Sequence, residues 1–145
     1  VAEVWRADGT DARVRVADVP AGDGVNSLDR GDVIRAIELP GAALRSRTAL
    51  RKIALAELGR SGAVLTGRLD PDGAALFVIT AATLTPVELR FDALPTAEQL
   101  LFTTEIAPGY YTDPLGAADW RRQVTGVLLV EVLEELRAGA AGGAA

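Results

Sequence analysis

Ala63-Val-Leu-Thr-Gly-Arg-Leu-Asp70 and Ala75-Leu-Phe-Val-Ile-Thr-Ala-Ala82, joined through Asp70-Pro71-Asp72-Gly73, decide how this chain folds. Proline sets φ early in the turn and glycine accepts positive φ late in it, so two apolar strands close into a hairpin. Downstream, Val87-Glu-Leu-Arg-Phe91 alternates strictly, with Val87, Leu89 and Phe91 inward, and reads as a third strand. Thr96 and Gln99 form a capping box ahead of Leu100, Leu101 and Phe102, which predicts a short helix. A last helix runs from about Ala117 to Arg137. It sets Trp120, Val124, Val127 and Leu128 on one side, extended by Leu133 and Leu136, against Glu131, Glu134, Glu135 and Arg137 on the other. Residues 138–145 are an Ala/Gly tail expected to be disordered. The fold class is α+β: a three-stranded antiparallel sheet packed with helices, over residues 60–137.

Upstream the pattern is thinner. Val1-Ala-Glu-Val-Trp5 and Arg13-Val-Arg-Val16 flank Asp8-Gly9, a hairpin signal, and residues 19–26 read as a loop. A further strand carries Val33, Ile37 and Leu39 on one face, with Arg35 sharing it, and stops at Pro40-Gly41. Residues 48–58 are ambiguous. Leu50, Ile53, Ala54 and Leu58 suit a helical face that Thr48 could cap and Gly59 could end. Three short strands cannot stand alone, so residues 1–59 read as the partial end of another domain.

Composition removes whole classes of chemistry. The 145 residues contain no Cys, His or Met, which excludes disulfides, thiolate nucleophiles, zinc knuckles and imidazole bases supplied by this chain. A net charge of −5 and a pI near 4.7 argue against nucleic-acid binding. No apolar run approaches the ~20 residues of a membrane-spanning helix, so no membrane partner is expected. A cytoplasmic location is the default expectation. Lys52 is the only lysine, and it lies at the end of a basic stretch from Arg45 through Arg47 and Arg51. That stretch could hold an anionic cofactor or form an ordinary salt-bridged surface. Asp70 and Asp72 are turn residues, and no pair of carboxylates is embedded in apolar sequence as a catalytic acid would be. Gly22-Asp-Gly24 and Gly59-Arg-Ser-Gly62 are weak phosphate cradles, because neither joins a strand to a following helix. Tyr110, Tyr111 and Trp120 could stack on a base or flavin, with core packing the simpler role for Trp120. The missing methionine and the strand-like start at Val1 suggest a piece of a longer protein. By its residues alone this is an α+β domain without a visible active site.

The order of segments resembles a known family. Asp32-Val-Ile-Arg-Ala-Ile-Glu-Leu-Pro40, Arg51-Lys-Ile53, the hairpin with Thr85-Pro86-Val87, and Tyr111-Thr-Asp-Pro-Leu-Gly-Ala-Ala-Asp-Trp-Arg-Arg122 resemble the flavoprotein component of molybdenum hydroxylases. These are the FAD-binding subunits of xanthine dehydrogenase and carbon monoxide dehydrogenase relatives. The resemblance runs from about Val14 to Leu136. It implies the last strands of an FAD-binding subdomain followed by the flavoprotein C-terminal domain, with the glycine-rich pyrophosphate loops lying upstream of the matched region. It also implies FAD as cofactor, iron–sulfur and molybdopterin subunits as partners, and electron transfer through the flavin to an acceptor. On this resemblance Lys52 matches a lysine near the isoalloxazine ring, and Ile34 and Arg35 match a strand that packs close to that ring. Arg35 stands where relatives are usually apolar. The isolated chain would not be active. The alternatives are a non-enzymatic interaction or assembly module that keeps the fold, and a small carboxylate-dependent enzyme; a homodimer is a further partner expectation.

Overall fold

A computed structural model describes residues 1–142. Four antiparallel strands, β6 (Arg47–Ala54), β7 (Ser61–Leu69), β8 (Ala75–Thr80) and β9 (Val87–Phe91), form a sheet in simple sequential order. Helices α1 (Ala97–Glu105) and α2 (Ala118–Gly142) cover one face of it. The class is α+β as expected, with one strand more. Residues 47–54 are a strand and not a helix, because eight of their residues pair with β7. Backbone pairing along the whole length outweighs a helical pattern that rested on four apolar residues.

The core lies between sheet and helices. Ala63, Leu65, Phe77, Ile79 and Leu89 meet Leu100 of α1 and Leu129, Val132, Leu133 and Leu136 of α2. Two glycines set how closely the layers approach. A Cβ on Gly67 would stand 2.4 Å from Val132 Cγ1, so α2 lies directly on the β7 backbone there. A Cβ on Gly62 would meet the Trp120 ring at 2.8 Å, which assigns Trp120 to packing and leaves no room for a stacked ligand. Thr96 accepts from the Gln99 amide while Gln99 caps the Thr96 amide, so the capping box forms as read.

Two details of the helices correct the sequence reading. The buried stripe of α2 runs Arg121, Thr125, Leu129, Val132, Leu136, which leaves Val127 in solvent. The expected disordered tail continues α2 as far as Gly142, consistent with the high helix propensity of alanine; residues 143–145 lie outside the described residues.

The N-terminal part forms separate small sheets. β1 (Ala2–Trp5) is central between β2 (Asp11–Val14) and β5 (Val33–Ile37), and β3 (Pro20–Gly22) pairs β4 (Val25–Asn26). A bulge interrupts the β1–β5 pairing: Val4 faces Ile34 and Glu3 faces Ala36, so Arg35 is the extra residue. Ile34 and Ile37 therefore share the face of buried Val4 and Ala2, whereas Val33 sides with Trp5. The strict alternation expected for Val33, Ile37 and Leu39 fails at this residue.

Candidate functional site

Alternation along β6 gives the four-stranded sheet two unlike faces. Ala49, Arg51 and Ile53 turn towards the helices. Thr48, Leu50 and Lys52 turn away, in register with Arg68, Thr66 and Val64 of β7, which pair with Leu76, Val78 and Thr80 of β8. Thr48, Leu50, Thr66, Arg68, Leu76 and Val78 line a groove of about 450 Å³ on this open face. The Arg15 guanidinium reaches Glu88 of β9 at 2.7 Å, so the N-terminal segment borders the face on its β9 side.

Lys52 sits on that face, exposed and in no ion pair among the described residues. The next residue back behaves differently. Arg51 points the other way and donates to Glu131 at 3.0 Å and Glu135 at 2.7 Å, anchoring α2 to the sheet edge. The basic stretch read as one patch is thus divided between two faces, because in a strand neighbouring residues point apart. What remains on the open side is one free ammonium, on the same face as a groove of mixed polar and apolar lining that Lys52 itself does not line.

Ile34 and Arg35 lie on the other sheet, and no strand pairing joins β5 to β6. Ile34 is partly exposed beside Val4. Arg35 donates to Glu3 at 2.5 Å and lies 5.5 Å from the centre of the Trp5 ring. Arg13 donates to Glu38 on the same surface. The hydrogen bonds and charge of Arg13 hold the Glu38 carboxyl down at about 2. Arg35 is therefore a neutralised, stacked cation, whereas Lys52 is a free one.

The sequence reading missed a buried cation. Arg121 of α2 is fully buried, donates to the Ala81 carbonyl at 2.5 Å and to Asp113, and stacks 4.2 Å from the Tyr111 ring centre. Ala81 itself has φ +63°, a left-handed conformation after β8 that this hydrogen bond helps hold. Burial acts to raise the pKa of Asp113, but the Leu115 amide and the Arg121 guanidinium outweigh it and hold the carboxyl below its ordinary value. All of its polar neighbours are structural, so the cluster is a strut that fixes the 110–116 loop. Only an arginine on the apolar stripe of a helix hinted at it. Asp70 has a similar duty, accepting from Ser46 at 2.5 Å and from Arg68 at 2.9 Å. Among the described residues no cluster of His, Cys, Asp or Glu could hold a metal ion. No described helix is long and apolar enough to cross a membrane.

No protein-family model and no curated protein sequence matches the chain. Solved structures do. Reconstituted CO dehydrogenase from Oligotropha carboxidovorans matches with a TM-score of 0.77 at 20% identity, over 94% of this chain and 52% of that one. The cyanide-inactivated form of Cu,Mo-CO dehydrogenase gives the same values. Quinoline 2-oxidoreductase from Pseudomonas putida 86 matches with a TM-score of 0.69 at 14% identity, over 96% of this chain and 52% of its own. At these identities the likeness is one of fold. This chain shares its fold with about half the length of a chain from CO dehydrogenase and from quinoline 2-oxidoreductase.

Proposed function

We propose that the chain is the C-terminal portion of the FAD-binding component of a molybdenum hydroxylase-like oxidoreductase. In this reading the open face of the β6–β9 sheet forms one wall of the flavin site. The observation that carries it is Lys52: the only lysine, exposed on the open sheet face and free of ion pairs among the described residues, on the face that also carries the groove. The match to CO dehydrogenase over 94% of the chain supports the same reading.

FAD, when bound, would take electrons from an iron–sulfur partner and pass them to an acceptor. Lys52 would set a positive charge where the reduced ring carries negative charge, and Ile34 would offer an apolar contact. Arg35, already held by Glu3 and Trp5, would add packing without free charge. The pyrophosphate has no cradle among the described residues. The space a ligand would need at Gly62 is filled by Trp120, and the pocket of about 250 Å³ that Gly22 and Gly24 line carries Asp23 and no cation. The phosphates would be held by other parts of the protein. The partners in this reading are iron–sulfur and molybdopterin subunits in the cytoplasm.

Lys52→Met in the flavin-loaded protein is the test. Losing about 1 kcal/mol of charge stabilisation should lower the two-electron flavin potential by ~20 mV, with the flavin still bound. An unchanged potential would remove Lys52 from the site. It would also favour the second reading, an interaction module that keeps the fold without electron transfer, which the apolar outer surface of α1 and α2 supports.

A further inference from the structure

We infer that the outer groove between α1 and α2 docks a partner protein through an apolar helical segment flanked by lysine or arginine. Both helices already satisfy the core through their inner faces, with Leu100 and Thr104 on α1 and Leu129, Val132 and Leu136 on α2. Their outer faces should then be polar. Instead Leu101, Phe102, Ile106 and Val127 are 44%, 67%, 64% and 59% exposed. Leu101, Phe102 and Gly126 help line a groove of about 590 Å³. Gly126 is its floor, since a Cβ there would stand 3.1 Å from Leu101 Cδ2. Clustered apolar exposure of this kind marks an interaction surface.

Charge at the rim chooses the occupant. Arg122, the one cation lining the groove, lies 3.5 Å from Glu105. That cation is thereby spent, and Glu98 remains on the rim without an ion pair among the described residues, leaving the lining net acidic. A second copy of this chain, net charge −5, would bring the same acidic rim against itself. A partner with a basic rim meets it with opposite charge and fills the groove with its own apolar residues.

The test titrates the 145-residue chain with two synthetic helical peptides that share one Leu/Phe stripe, one flanked by Lys and one by Glu, followed by methyl NMR. Saturable shifts at the Leu101 methyls, which line the groove, are expected with the Lys-flanked peptide, and about tenfold weaker binding with the Glu-flanked one. Phe102→Ser, a change at an exposed position that leaves the core intact, should abolish the shifts, and Glu98→Gln should weaken them. Equal binding of both peptides, or no shift at these methyls with either, overturns the inference. Shifts of the same methyls that grow with protein concentration alone also overturn it, in favour of a second copy.

Discussion

The two parts of this molecule bury their apolar residues very differently. The sheet of β6–β9 and its two helices enclose a continuous core in which Leu65, Phe77, Ile79, Leu100, Leu129, Val132 and Leu133 are fully buried. The β2–β1–β5 sheet fully buries only Ala2 and Val4, and leaves Trp5, Val33, Ile37 and Leu39 in solvent. Hydrophobic stabilisation scales with apolar area removed from water. The first part therefore has the means to hold itself together. The second depends on neighbours, among them the Arg15–Glu88 bridge to β9. The exposed apolar residues of the N-terminal sheet and the apolar outer groove of the helix pair are both surfaces that an assembly would bury.

This contrast can be broken most sharply in the core. Phe77→Ala should cost about 3–5 kcal/mol, while Ile37→Ala on the exposed sheet should cost under ~1 kcal/mol. Urea unfolding of the two variants reads the difference, and equal losses would place the N-terminal sheet in the same cooperative core. Next in size is Gly67→Ala. Its Cβ would collide with Val132 and force α2 away from β7, costing about 1–3 kcal/mol by the same measurement. A neutral result would mean that the helix rests elsewhere.

The smallest effect is electrostatic and belongs to the N-terminal sheet. Glu38 is held at about 2, below its ordinary 4.5, so its bond to Arg13 contributes stability that is present above pH 4.5. That contribution is lost as pH falls through about 2. Amide resonances of Arg13, Ala36 and Glu38 should therefore report local loosening in acid before those of Leu65 and Ile79 move. Simultaneous loss of both sets would sharpen the picture differently, by coupling the two parts.

Much of this organisation is legible in the residues. Asp70-Pro71-Asp72-Gly73 announces the β7–β8 hairpin, and Thr96 with Gln99 announces α1, because both signals are local chemistry. Strand β6 is not legible. As an edge strand it carries Leu50 outward and Arg51 inward, so its pattern fits neither a clean strand nor a clean helix. Lys52 is named by the family resemblance alone, and its turning to the face opposite Arg51 follows only once β6 is a strand. The bulge at Arg35 and the buried Arg121 are tertiary outcomes. One depends on pairing with β1 and the other on a carbonyl at Ala81, forty residues away in the chain.

The most direct test of the open sheet face as a flavin wall is an amide NMR titration of the chain with FAD. Weak shifts at Leu50, Lys52, Val64 and Thr66, joined by Ile34 and Arg35, without a tight complex, are the expected result. A stoichiometric, tightly bound yellow complex, or shifts at Gly22 and Gly24 with none on β6, would contradict it.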